Sequence, residues 1–153
     1  MAYPVRGTQA LRIGRVTIVG QIYIVTTSTN RRQPLFADFW TGRVVVRTMR
    51  EIDVAGLTTT LAYVVMPDHL HWLLELRNSR LDHVVQILKG RSAYALRLHR
   101  PRPGQVWQHG FHDHALRNDE RVTDAARYII ANPVRAGIVR RVGNYPLWDC
   151  VWI

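Results

Sequence analysis

Long hydrophobic runs and cysteines are both scarce in this sequence. No apolar stretch approaches the roughly 18 residues that would span a bilayer, and the first six residues, Met1 to Arg6, contain no hydrophobic signal core. We therefore expect a cytoplasmic protein that does not enter the membrane. Cys150 is the only cysteine, which excludes an internal disulfide and a cysteine-rich zinc site, and we interpret it as a small buried apolar residue.

Negative charge is also scarce. The chain has 11 Asp and Glu against 21 Lys and Arg, which gives a formal net charge of +10. Such an excess favours a polyanionic partner, nucleic acid before membrane. Lys89 is the only lysine, so nearly all of the positive charge is carried by arginine, whose planar guanidinium matches phosphates and stacks on bases.

The length of 153 residues and an apolar content of 47% spread along the chain predict one folded domain over residues 1–153. Residues 1–15 are mixed and basic and are interpreted as an N-terminal arm. Periodicity predicts strands at 16–27, 57–66, 69–76 and within 106–116, and helices over 38–51, from residue 81 to about 100, and from residue 119. This order indicates an α+β fold in which an antiparallel sheet carries helices mainly on one face, and a ferredoxin-like variant is the natural choice.

Two histidines one residue apart form the most informative pattern. Read with the period of a strand, His69 and His71 point to the same side, while the residues between and after them form an apolar face on the other side. Two imidazoles on one face suit a metal ion. Pro67 and Asp68 supply turn residues before them, so the pair is predicted at the start of a hairpin strand.

A tyrosine near the end of the chain could complement such a metal. In the helix predicted from residue 119, Tyr128 falls outside the apolar stripe, so it is predicted to be accessible. A tyrosine hydroxyl can attack a phosphodiester when a Lewis acid stabilises charge on the phosphate. Asn132 follows one turn later. It could bind the metal, or it could cap a new helical turn that begins with Pro133.

At these two segments the chain resembles a known family, the HUH-type single-tyrosine (IS200-like) transposases, and in particular the REP-associated tyrosine transposases of bacteria. Residues 66–73 resemble the family's His-hydrophobic-His strand, and residues 128–137 resemble its nucleophile helix. Further similarity lies at residues 26–36, 106–108 and 111–113, so that the resemblance covers about residues 17–148.

The resemblance implies an HUH endonuclease fold and a metal-dependent enzyme that nicks and rejoins single-stranded DNA. His69 and His71 would hold Mg²⁺ or Mn²⁺, and Tyr128 would become joined to a 5′ phosphate at or near hairpin-forming repeats. Asn132 would be the third ligand, where transposases of mobile elements often have glutamine and the REP-associated branch has asparagine. The implied partner is single-stranded hairpin DNA, with no small-molecule substrate, and the protein could act as a monomer or a homodimer.

Several assignments stay open at this point. A domesticated relative could bind hairpin DNA or RNA without cutting it. His112 and His114 could join the first pair in a histidine zinc site. Either Asp68 or Glu75 could orient a ligand histidine from outside the metal shell. The cations predicted by location to contact DNA are Arg31, Arg32, Lys89, Arg91 and Arg97.

Overall fold

One five-stranded sheet organises the fold in the computed structural model, which describes residues 18–153. Its strand order is β4-β1-β3-β2-β5, and each neighbouring pair is antiparallel. The strands are β1 (Ile22–Ser28), β2 (Thr58–Met66), β3 (His69–Leu76), β4 (His112–Ala115) and β5 (Trp148–Cys150). The helices are α1 (Phe39–Val54), α2 (Leu81–His99), α3 (Val122–Ile130) and α4 (Asn132–Arg135), with 3₁₀ turns at Asn30–Arg32, Leu35–Ala37 and Val142–Asn144.

The hairpin of β2 and β3 lies at the centre of the sheet. Met66 is directly opposite His69 across the two-residue turn formed by Pro67 and Asp68, as the turn chemistry of these residues predicts. On its other side β3 pairs with β1, where Thr26 lies opposite His71. The histidine strand is therefore held by hydrogen bonds along both edges.

The two long helices pack on one face of the sheet. Asp38 caps the N-terminus of helix α1, because its carboxylate accepts hydrogen bonds from the backbone N–H groups of Trp40 and Thr41. Both helices present apolar stripes to the sheet. The main core contains Leu70, Trp72, Leu74 and Leu76 of β3, Val45, Met49 and Ile52 of α1, and Val84, Val85 and Leu88 of α2.

Helix α3 packs on the opposite face. Its stripe of Ala125, Ala126, Ile129 and Ile130 forms a second buried cluster with Leu73, Ile24 and Cys150. An α+β fold with an antiparallel sheet is thus confirmed, with both long helices on one face and α3 on the other. The buried position predicted for Cys150 is confirmed as well.

Two predicted boundaries are wrong and one strand was missed. Residues 18–21 of the first predicted strand are not part of a strand, and β1 begins at Ile22, because the chain turns at Gly20, whose positive φ of 87° suits a residue without a side chain. Helix α3 begins at Val122 and not near residue 119, because the carboxylate of Glu120 accepts a hydrogen bond from the backbone N–H of Arg117 and closes a turn there. Strand β5 was not predicted, since three residues are too few to show a period.

Two predictions lie partly or wholly outside the described residues. The basic arm at 1–15 is one, and residues 16 and 17 of the first predicted strand are the other. Within the range 18–153, no helix is both long and apolar enough to cross a membrane.

Candidate active site

The two histidines of β3 lie on the face of the sheet opposite the main core. Leu70 and Trp72, which alternate with them, are completely buried in that core, so the predicted alternation of the strand is confirmed. The His69 and His71 rings are close, with centroids 4.8 Å apart and planes nearly perpendicular. Two imidazoles are therefore presented side by side on the face on which α3 packs.

Each imidazole is oriented through its Nδ1 atom. His69 Nδ1 donates a hydrogen bond to Asp68 Oδ1 at 2.7 Å, and His71 Nδ1 is hydrogen-bonded to the Thr26 hydroxyl at 2.9 Å. Within the described chain, no hydrogen bond engages Nε2 of either ring. Metal-binding histidines characteristically have one nitrogen held by such an outer partner and offer the other to the ion.

Burial keeps both imidazoles neutral. Burial is the largest cause, and together with smaller electrostatic effects of His69, Arg135 and Arg32 it lowers the pKa of His71 to about 3. Burial also lowers the pKa of His69, although the bond to Asp68 opposes the effect. Neutral imidazole is the form that binds metal ions, because protonation occupies the donor nitrogen.

Asp68, and not Glu75, is the carboxylate bonded to a histidine of the pair, which resolves one choice that the sequence leaves open. Burial alone would raise its pKa, but the bonds to His69 and Arg32 hold the pKa below its usual value, so the group is ionised. Glu75, the alternative, has Oε1 3.4 Å from Nη1 of Arg77, and within residues 18–153 it forms no hydrogen bond to either histidine. The backbone carbonyl of Asp68 also accepts hydrogen bonds from the N–H and hydroxyl of Thr29, which fixes the turn.

Tyr128 lies at the edge of the second cluster and is half-buried. Helix α3 contacts β2 and β3, so the tyrosine helix covers the sheet face that carries the histidines. The guanidinium of Arg135 lies over the Tyr128 ring, with Cζ 4.0 Å from the ring centroid. The charge of Arg135 also lowers the pKa of His71, so this arginine contacts the tyrosine and acts on one histidine of the pair, and a shared site of Tyr128 and the histidines stays a prediction.

Asn132 does not cap a helix, so that interpretation is wrong. Ala131 occupies the capping position of α4, and no side chain caps this helix. The Asn132 amide instead donates from Nδ2 to the carbonyl of Ile129 at 2.8 Å. This bond directs the donor end of the amide to the backbone, which leaves Oδ1, the atom that binds cations, for another partner.

The donor set fits a hard divalent ion better than structural zinc. The described residues contain no group of three or more His, Cys, Asp or Glu side chains that could hold a metal. In particular, His114 Nε2 is hydrogen-bonded to Glu120 and His112 is exposed. Two neutral imidazole nitrogens with open positions for oxygen ligands would suit Mn²⁺ or Mg²⁺, and the identity of the metal and of a third ligand stay predictions.

One of the arginines predicted to bind DNA, Arg32, lies next to His69, because both side chains are bonded to Asp68. Arg31 and Arg32 both have positive φ, 57° and 55°, a conformation that costs energy in residues other than glycine. Arg32 is fixed there by Asp68 Oδ2 and by the Ser28 hydroxyl, each at 3.0 Å. The strained turn thus holds Arg32 at the edge of the site, and the role of Arg31 in binding DNA stays a prediction.

The other three predicted cations lie on α2, against the opposite face of the sheet. Arg91 and Arg97 are exposed. The Lys89 ammonium donates to the backbone carbonyls of Gln108, at 2.8 Å, and Gly110. The structure therefore does not bring these residues to the histidines, and their contact with DNA stays a prediction.

Two residues of the site were not assigned a role from the sequence. Thr26 is found only through the register of β1 against β3, which no sequence pattern reveals. Arg135 could have been found, because it follows Tyr128 by seven residues, two helical turns, and so shares its face.

Comparison with known proteins relates the chain to one group of transposases. The family model described as "Transposase IS200 like" matches residues 18–132. A provisionally named REP-associated tyrosine transposase of Haemophilus influenzae is 26% identical over 98 residues, which cover 57% of this chain and 56% of that protein. The REP-associated tyrosine transposase of Escherichia coli K12 is 31% identical over 87 residues, with coverage of 56% and 50%. The chain thus matches about half the length of these relatives.

Solved structures of transposases also resemble this chain. A structure of a REP-associated tyrosine transposase bound to a REP hairpin superposes with a TM-score of 0.69 and 25% identity, covering 88% of this chain and 79% of that one. A provisionally named transposase from Deinococcus radiodurans superposes with a TM-score of 0.55 and 24% identity, covering 75% and 92%. The second likeness supports the fold alone.

Proposed function

Because the chain belongs to the IS200-like transposase family, we propose that it is a metal-dependent endonuclease and strand transferase acting on single-stranded DNA. It cuts at or near hairpin-forming repeats and forms a 5′-phosphotyrosine at Tyr128. The observation that carries this proposal is the arrangement of His69 and His71. Both rings are held through Nδ1 on the sheet face that the tyrosine helix covers.

Tyr128 is the proposed nucleophile. Its hydroxyl oxygen forms a bond to the phosphorus of the scissile phosphodiester and gives up its proton to solvent. The bond between phosphorus and the 3′ oxygen breaks, and that oxygen leaves with the electron pair and takes a proton from solvent. One phosphodiester is exchanged for another, so the free 3′ hydroxyl of a strand can reverse the step and join DNA without external energy.

His69, His71 and Asn132 are the proposed ligands of a divalent ion, Mg²⁺ or Mn²⁺. When bound, such an ion supplies Lewis acidity that stabilises negative charge on the phosphate. Asp68 and Thr26 orient the two imidazoles, and burial keeps them neutral before the ion arrives. The protein therefore presents a preorganised, uncharged donor pair.

Hairpin DNA is the proposed partner. The net charge of +10 supplies attraction to phosphates, and a solved relative is bound to a REP hairpin. Arg31 and Arg32 are the proposed contacts nearest the site. Arg91, Arg97 and Lys89 are proposed for more distant parts of the nucleic acid. A cytoplasmic location and action as a monomer or homodimer stay predictions.

The proposal is tested with purified protein and labelled single-stranded hairpins taken from the repeats of its host genome. Wild-type protein with Mn²⁺ is expected to give a covalent protein–DNA band on a denaturing gel, and a chelator or Tyr128→Phe should abolish that band. Tyr94→Phe is the matched control, since Tyr94 is exposed on α2, away from the site.

Tight binding with no adduct under any divalent metal would contradict the proposal. It would favour the alternative, a non-catalytic protein that binds hairpin DNA or RNA. An adduct that survives Tyr128→Phe would instead assign the nucleophile to another residue.

A further inference from the structure

Arg135 is the least neutralised charge at the site. Two arginines are close enough to His71 to lower its pKa, Arg135 and Arg32. Arg32 is paired with Asp68 and bonded to Ser28. Arg135, in contrast, makes no ion pair or hydrogen bond within the part of the chain that the structure describes. Its one defined contact is the Tyr128 ring.

The Arg135 contact with the nucleophile uses only one side of the guanidinium. Cζ lies 4.0 Å from the ring centroid, a cation–π distance. Arg135 is solvent-exposed, so N–H edges of the guanidinium that do not face the ring are open to solvent. Those edges match the spacing of two oxygens on a phosphate and can bind them in a bidentate manner.

The position of Arg135 is set by the break after α3. The chain turns at Ala131 and starts α4, with Pro133 buried and fixing the first turn. Arg135 is the last residue of this short helix. Its charge is thus held beside the tyrosine by a rigid segment and not by a loop.

We infer that Arg135 is a catalytic residue for the proposed reaction, which binds the non-bridging oxygens of the phosphate that Tyr128 attacks. A phosphorus poised for attack must come within about 3–3.5 Å of the tyrosine oxygen, and so reaches the rim of the ring on which the guanidinium is stacked. Negative charge grows on the non-bridging oxygens during the attack. A fixed cation at that place stabilises the transition state more than the bound substrate.

This inference rests on the proposed function and is tested in the same adduct assay. The variants are Arg135→Gln and Arg135→Lys, with Arg127→Gln as matched control. Arg127 is also an exposed arginine of the tyrosine segment, but it lies 3.8 Å from Asp124. Adduct formation is measured in single turnover with saturating hairpin DNA, so that weaker binding does not enter the rate. Thermal unfolding of each variant verifies that it is folded.

The decisive comparison uses a second substrate in which one non-bridging oxygen of the scissile phosphate is replaced by methyl, giving an uncharged methylphosphonate. On ordinary DNA, Arg135→Gln should slow adduct formation by about 100-fold or more, Arg135→Lys should be intermediate, and Arg127→Gln should match wild type. On the methylphosphonate, wild type and Arg135→Gln should differ less than about fivefold, because the charge that Arg135 binds is gone.

If Arg135→Gln slows adduct formation equally on both substrates, the inference is overturned, and Arg135 would act only by holding the Tyr128 ring in position. An unchanged rate on ordinary DNA would also overturn it. If wild-type protein itself gives no adduct, the proposed function and this inference fail together. An active wild type with an unaffected Arg135→Gln refutes the inference alone.

Discussion

Removing the charge of Asp68 should weaken metal binding without unfolding the site. In the wild-type protein the hydrogen bond from His69 Nδ1 to Asp68 Oδ1 is 2.7 Å long. In Asp68→Asn the amide oxygen can still accept this bond, but the negative charge that makes His69 a better ligand is lost. Loss of an outer-shell partner usually costs 10- to 100-fold in metal affinity. Because 27% of the Asp68 side chain reaches solvent, we expect the lower end, about tenfold or 1.4 kcal/mol.

The assay is a titration of the DNA-free protein with Mn²⁺, in which free ion is counted by electron paramagnetic resonance. The turn itself should persist, because Thr29 is bonded to the backbone carbonyl of Asp68 and not to its carboxylate. Glu75→Gln is the matched control, since it also removes one negative charge from β3 but from a residue that faces Arg77. Equal affinities in wild type and Asp68→Asn would refute the reasoning. So would an equal loss in both variants, which would indicate only a general effect of charge.

Three further predictions concern the same strands and their support. Thr26→Val removes the hydroxyl that orients His71 and should lower Mn²⁺ affinity by about 3- to 10-fold in that titration, whereas unchanged affinity would show that the ring is held by packing alone. Thr27→Val should stabilise the fold by about 1 kcal/mol in urea denaturation, because the buried Thr27 hydroxyl has no hydrogen-bond partner among residues 18–153; a loss of stability would reveal a partner. Burial raises the pKa of Tyr145 to about 12 from 10.0, so this tyrosine favours the folded state below pH 10 and its contribution is lost as pH rises towards 12. Tyr145→Phe should therefore show a flatter fall of stability above pH 10 than wild type, and parallel curves would contradict that assignment.

Local sequence patterns were sufficient to predict the central hairpin of β2 and β3. The boundaries predicted for β3 match the structure at both ends, because alternation of apolar and polar residues and a Pro-Asp turn are both written in adjacent residues. The apolar stripe of α3 was equally readable. Short-range periodicity fails where an element is brief or an end depends on a distant partner, as with β5 and the first turn of α3.

The sequence by itself determined that His69 and His71 share one face of a strand, that Tyr128 lies off the apolar stripe of its helix, and that the chain is strongly basic. These properties follow from the geometry of one strand or one helix and from composition. Only the tertiary structure decided which groups hold the imidazoles, that Asn132 does not act as a cap, and that Arg135 stacks on Tyr128. The bond between Thr26 and His71 joins residues 45 apart and depends on strand register. The other contacts join residues that are close in the chain, but the direction in which each side chain turns depends on how the turn, α3 and α4 pack, and no local period encodes that direction.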